Sequence, residues 1–197
     1  RLRPLVAASV GPYGAYLADG SEYTGRYAVT EQDLYSFHED RWTLLADTGA
    51  DLLACETIPS LPETRALCRL MDDSPVPAAW FSFSCRDESR LRDGSELSEA
   101  VALASGVRGV TGVGVNCVDP DQVPGMIRTV QENSSLPVVV YPNSGERWDE
   151  RNRCWTGRTA RFDAEGWVAA GAALIGGCCR VGPESIRRIR AALLAAP

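Results

Sequence analysis

The chain has 197 residues, 45% of them hydrophobic, and a formal net charge of −6. That size and composition suit one globular domain with a substantial core. The acidic balance and the lack of a basic patch argue against a nucleic-acid partner, and no apolar run approaches the roughly 20 residues of a membrane helix.

The seven cysteines form an odd set without the dense spacing of a secreted disulfide scaffold. A reducing, cytoplasmic setting is expected, with free thiols or thiolate ligands. The start, "RLRPLVAASVGPYG", meets Gly11 and Pro12 before a signal-peptide core can develop. It opens directly on what reads as a strand, and a further N-terminal part is expected upstream.

In chain order, "PLVAAS" (4–9) predicts the first strand. Thr30 is a candidate cap for a helix through "EQDLYSFHEDRWTLLADTG". "ADLLAC" (50–55) predicts a strand, and Ser60 opens the helix "LPETRALCRLMDD". "PAAWFSFSC" (77–85) and "VRGVTGVGVNC" (107–117) predict two more strands, each followed by a helix, "LSEAVALAS" and "DPDQVPGMIRTVQEN". "LPVVVYPN" (136–143) is a fifth strand. An irregular segment, 143–161, is a candidate functional loop. The helix "FDAEGWVAAG", the strand "AALIGGCC" (172–179) and the helix "GPESIRRIRAALLAA" close the chain.

Continuously apolar strands alternating with helices predict a parallel sheet covered by helices. Six such units suit a doubly wound sheet or part of an eight-stranded barrel. In either fold, ligands bind beyond the carboxyl ends of the strands. Those ends carry Glu56, Cys85, Asn116 with Cys117, Asn143 with Glu146, and Cys178 with Cys179.

The adjacent pair Cys178–Cys179 is a poor disulfide, because neighbouring Cα atoms lie about 3.8 Å apart and disulfides prefer roughly 4.4–6.8 Å. Two readings stand: small residues packed in a turn, or a pair of metal-binding thiolates. Cys117 ends a strand separated from theirs by one other, so the three thiols can converge. Three thiolates with an open fourth position describe a catalytic zinc site. Core packing at strand ends explains the same residues without a metal. Cys55, Cys68 and Cys85 read as packing residues and Cys154 as incidental. The single histidine, His38, reads as a surface or helix-packing residue.

The motifs "GVNC", "YPNSGE" and "IGGCCR", in this order and spacing, resemble the homocysteine S-methyltransferase family, especially bacterial members that use S-methylmethionine. "SVGPYGAYLADGSEYTGRY" and "DLLACETIP" carry the same resemblance, which runs through essentially the whole chain. It implies a (β/α)8 TIM barrel, of which residues 1–197 hold about six units, the third to the eighth, as one N-terminally incomplete homocysteine-binding domain. It implies Zn2+ on Cys117, Cys178 and Cys179, Glu56 on the amino group of homocysteine, and Asn143, Ser144 and Glu146 at the substrate pocket. The implied reaction is methyl transfer from S-methylmethionine or S-adenosylmethionine to homocysteine, giving methionine, with neither nucleic acid nor membrane involved. Gly176 and Gly177 are expected to turn the backbone tightly, so that successive thiolates face one metal. Alternatives are a thiol methyltransferase with another donor such as betaine, or an inactive zinc-binding fragment.

Overall fold

The computed structural model describes residues 3–195 except 75, 77, 150, 151, 153 and 161, with the backbone alone at 147 and 148. The chain begins with β1 (Ala7–Val10), the short helix α1 (Tyr13–Leu17) and a 3-10 turn (Ser21–Tyr23). Next come α2 (Glu31–Ala46), β2 (Leu52–Ile58), α3 (Leu61–Asp73), β3 (Ala79–Phe83), α4 (Leu97–Ser105) and β4 (Val110–Asn116). A second 3-10 turn (Pro120–Gln122) leads to α5 (Val123–Asn133), β5 (Val138–Tyr141), β6 (Arg147–Asp149) and β7 (Cys154–Thr156). The chain closes with α6 (Ala164–Ala169), β8 (Ala172–Ile175) and α7 (Pro183–Ala195).

Six strands form one sheet in the order β1-β2-β3-β4-β5-β8, every pairing parallel. The order follows the chain without reversal, as in a barrel rather than a doubly wound sheet. The sheet does not close: among the described residues β1 and β8 stand at its two edges. The segment expected to be irregular contains the antiparallel hairpin β6–β7. The start of the strand expected at 77–85 lies outside the described residues.

Local sequence explains the helix starts. Thr30 and Asp33 form a capping box, with Asp33 N donating to Thr30 Oγ1 at 3.2 Å and Thr30 N donating to Asp33 Oδ2 at 2.8 Å. Ser60 Oγ caps α3 through Glu63 N.

The two faces of the sheet differ. Val10, Cys55, Phe81, Phe83, Val113, Val115 and Val140 are fully buried in the hydrophobic core with residues of the flanking helices such as Leu67, Leu70, Met126 and Ile127. On the other face the carboxyl ends carry Ser9, Glu56, Ser82, Asn116 and Tyr141, whose side chains hydrogen-bond to one another or to their neighbours. The apolar runs therefore describe the helix-facing side, while period-2 alternation sends polar groups to the inner side. Lower on that side Leu174 is 47% exposed.

Candidate metal centre

Three polypeptide segments build the site. β4 ends at Asn116, and Cys117 follows with φ 54, a left-handed conformation that costs a non-glycine residue on the order of 1–3 kcal/mol. It is held there by Cys117 N, which donates to Tyr141 O at 3.3 Å. β4 approaches β5 so closely that a Cβ on Gly114 would lie 1.8 Å from Val139 O. Glycine at that position sets the distance between the two strands.

Beyond β8 the turn carrying Cys178 and Cys179 is zipped onto the segment after β5. Cys178 N donates to Pro142 O at 2.8 Å, Cys179 N to Asn143 Oδ1 at 3.2 Å, and Ser144 N to Cys179 O at 3.0 Å. The expected tight glycine turn is corrected here. Neither Gly176 nor Gly177 has a positive φ, and Arg180 takes the left-handed position instead, at φ 66. Glycine is required at 177 for space, because a Cβ there would meet Val181 Cγ1 at 2.1 Å.

The result is a cluster of three thiols whose Sγ atoms all lie within 4.8 Å of one another. Cys117 and Cys179 are 3.8 Å apart, and Cys178 and Cys179 are 3.9 Å apart. Metal–sulfur bonds of about 2.3 Å in a tetrahedron separate the sulfurs by about 3.8 Å. The donor set and its spacing thus fit a thiophilic four-coordinate ion with one position left for a fourth ligand. Among the described residues no other group of three or more His, Cys, Asp or Glu ligand atoms gathers so closely. Hydrogen bonding shared among the three sulfurs pulls the Cys179 thiol down toward the thiolate and pushes the Cys117 thiol up. Asn116 supports the cluster from beneath: Nδ2 donates to Thr57 Oγ1 at 2.7 Å and approaches Cys178 Sγ at 4.0 Å.

Glu56 lies near the carboxyl end of β2. Ser9 Oγ donates to its Oε1 at 2.6 Å and Tyr141 OH donates to its Oε2 at 3.0 Å. Trp80 Nε1 donates to the same hydroxyl at 3.0 Å, and Ser82 Oγ also contacts it. Burial, then the Glu56 charge, push the Tyr141 phenol well above its ordinary value. Of the other expected residues, Asn143 both supports Cys179 and lines the neighbouring cavity. Ser144 is buried and donates to Glu146 Oε2 at 2.9 Å, and Glu146 pairs with Arg180 at 3.2 Å.

A cavity of about 480 Å³ opens beside Cys117, with Tyr23, Arg86, Arg92, Asp119 and Trp155 in its wall. Cys85 lines it too, although buried as expected, along with Cys55 and Cys68. Cys154 is exposed on β7. His38 is not at the surface: it is fully buried against Glu63. Sequence reasoning missed Ser9, Tyr141, Arg86 and Arg92. Tyr141 had a usable signal, a polar-tipped residue closing an apolar strand just before a proline.

A family model described as homocysteine S-methyltransferase matches residues 1–193. The chain belongs to the homocysteine S-methyltransferase family. Within that family, it is 44% identical over 195 residues to homocysteine S-methyltransferase YbgG of Bacillus subtilis, covering 97% of this chain and 62% of that protein. It is 45% identical over 193 residues to the homocysteine S-methyltransferase of Escherichia coli, covering 95% of this chain and 62% of the relative. The crystal structure of the metallated form of the homocysteine methyltransferase MmuM from Escherichia coli superposes with a TM-score of 0.82 at 45% identity, covering 95% of this chain and 61% of that one. The chain thus spans about three fifths of the length of these relatives. Its open six-stranded sheet corresponds to part of a TIM barrel.

Proposed function

We propose that this chain carries the metal and acceptor sites of a homocysteine S-methyltransferase, which moves a methyl group from a sulfonium donor to homocysteine sulfur and forms methionine. The observation that carries the reading is the three-thiol cluster, with spacings of 3.8 and 3.9 Å on two strand ends. Cys117, Cys178 and Cys179 are the proposed ligands and Zn2+ the proposed ion. Zinc, when bound, supplies the lowered pKa that lets a coordinating thiol act as a thiolate at neutral pH.

The chain's own residues do the rest. Glu56 is the proposed acceptor for the ammonium group of homocysteine. Ser9 and Tyr141 each donate to one of its oxygens and so fix the carboxylate in place. Asn143 faces the cavity and steadies Cys179. Ser144 and Glu146 act on substrate through position, since both are tied to the turn that carries the cysteines. No proton need be delivered to the leaving group, a neutral thioether, which agrees with a site that contains no histidine.

S-Methylmethionine and S-adenosylmethionine are the proposed donors. Two further β–α units, packed between β1 and β8, would complete the barrel and cover the open inner face where Leu174 is 47% exposed. Free thiols at all seven cysteines suit the cytoplasm, the proposed location.

The test uses the protein at its native length. Homocysteine is offered with S-methylmethionine, S-adenosylmethionine or betaine, and methionine and bound metal are measured. Methionine formation from a sulfonium donor, abolished by a chelator and restored by zinc, is expected. Absence of homocysteine-dependent product with every donor would overturn the reading.

A further inference from the structure

Two guanidiniums, Arg86 and Arg92, line the cavity beside Cys117. Both come from the loop between β3 and α4. Arg92 is half-buried and held from behind: its Nε donates to Ser84 Oγ at 3.1 Å and its backbone N donates to Ser84 O at 3.3 Å. Ser84 is itself 3% exposed, so the anchor is rigid. Among the described residues neither terminal nitrogen of Arg92 has an acceptor, and no carboxylate pairs with it. Arg86 pairs with Asp87 at 3.2 Å in an exposed contact. Such a pair contributes little and exchanges readily.

Asp119 and Glu146 stand in the same wall, but Glu146 pairs with Arg180 and Asp119 Oδ1 accepts from Asp121 N, so neither pairs with Arg92, and a half-buried guanidinium left without an acceptor is costly to keep. Its planar fork of N–H donors matches a carboxylate in two-point contact. The cavity therefore asks for an anion of that shape. The acceptor amino acid has its proposed place elsewhere, at Glu56, which does not line this cavity and is held by Ser9 and Tyr141 on the inner face. Of the three thiols only Cys117 reaches the cavity wall. A second amino acid lying here would meet the sulfur cluster from one side with its own head group remote from Glu56. The rings of Tyr23 and Trp155 in the same wall suit the cationic end of a sulfonium.

We propose that Arg86 and Arg92 form the clamp that binds the carboxylate of the methyl donor. The proposal rests on the methyl-transfer reading and adds where, and by which group, the donor is recognised. The experiment compares S-methylmethionine with its decarboxylated analogue, (3-aminopropyl)dimethylsulfonium, as donors to homocysteine. The protein at native length is used as wild type, R86A, R92A and R86A/R92A. Loss of the clamp should lower kcat/KM for S-methylmethionine by about 10–100-fold in the double variant, with each single variant in between. The KM for homocysteine should stay within about twofold. The decarboxylated donor should be used equally by wild type and double variant, since it has nothing for the clamp to hold. An equal loss on both donors, a loss confined to the homocysteine KM, or no loss at all would overturn the proposal. Calorimetric titration with S-methylmethionine gives a second reading that needs no turnover: equal affinity of wild type and double variant also overturns the clamp. Failure of the methyl-transfer reading looks different, since wild type would then make no methionine from any donor.

Discussion

Nε2 of His38 lies 2.8 Å from Oε1 of Glu63, and both side chains are fully buried between α2 and α3. The same Oε1 accepts from Tyr13 N at 2.6 Å. One carboxylate thus ties together two helices and the start of α1, and so anchors the segment that brings Tyr23 to the cavity. Burial, then the Glu63 charge, also push the Tyr27 phenol well above its ordinary value.

His38→Ala should leave the buried Glu63 Oε1 with Tyr13 N alone, one hydrogen-bond partner fewer. A hydrogen bond to a charged group that is lost in this way costs on the order of 1–3 kcal/mol. For a chain of this size that is about 2–4 °C of melting temperature per kcal/mol. A thermal melt of the protein at native length checks it, and a melting point unchanged within about 1 °C would show that the contact carries no stability.

Single replacement of Cys117, Cys178 or Cys179 by Ser should strip the bound metal, because each would remove one of three clustered donors. Cys68→Ser should leave it in place, because Cys68 is buried on α3 and outside the cluster. Metal should also leave as the pH falls, since ligating thiols must be deprotonated. Metal analysis after dialysis reads all of these, and equal retention in the four variants would refute the ligand set.

Glu56→Gln should raise the homocysteine KM by about 10–100-fold, the worth of a charged hydrogen bond. Metal content should not change. Tyr141→Phe should act in the same direction but less, because Ser9 would still hold one oxygen of Glu56. Steady-state kinetics with homocysteine varied decides it; an unaltered KM in both variants counts against the site.

Gly114→Ala should damage the centre without touching a ligand. The new Cβ would lie 1.8 Å from Val139 O, so β4 and β5 must separate, and Cys117 rides on β4. Overpacking of this kind costs about 1–3 kcal/mol or more. The expected result is a lower melting temperature together with weaker metal retention. Loss of neither would mean that the strands have room to spare.

Much of this arrangement is legible in the residues. Apolar runs and caps such as Thr30 and Ser60 mark six parallel strands and their helices, because burial on the helix side and local capping are short-range effects. The three cysteines stand out because strand ends in parallel folds converge. Tyr141, Ser9 and Arg92 do not, since their roles depend on which face of a strand or loop meets a neighbour far away in the chain. The hairpin β6–β7 is hidden for a related reason: each strand has only three residues, too few for a period to show. Gly177 shows a further limit, since its need for space comes from Val181 and not from its own backbone angles.

Three is an odd number of thiols, and that has a consequence for damage. Any disulfide formed inside the cluster uses two sulfurs and leaves the third within 4.8 Å of the bond. The neighbours Cys178 and Cys179 are poorly placed to join each other, because their Cα atoms are only about 3.8 Å apart. The favoured bond therefore joins Cys117 to one of them, and the spare thiol sits next in sequence to a bonded sulfur. A thiolate in that position is the attacking group that exchange requires. Such an attack passes the disulfide from one pair of the three cysteines to another, and two electrons from an outside thiol are still needed to free all three sulfurs for a metal.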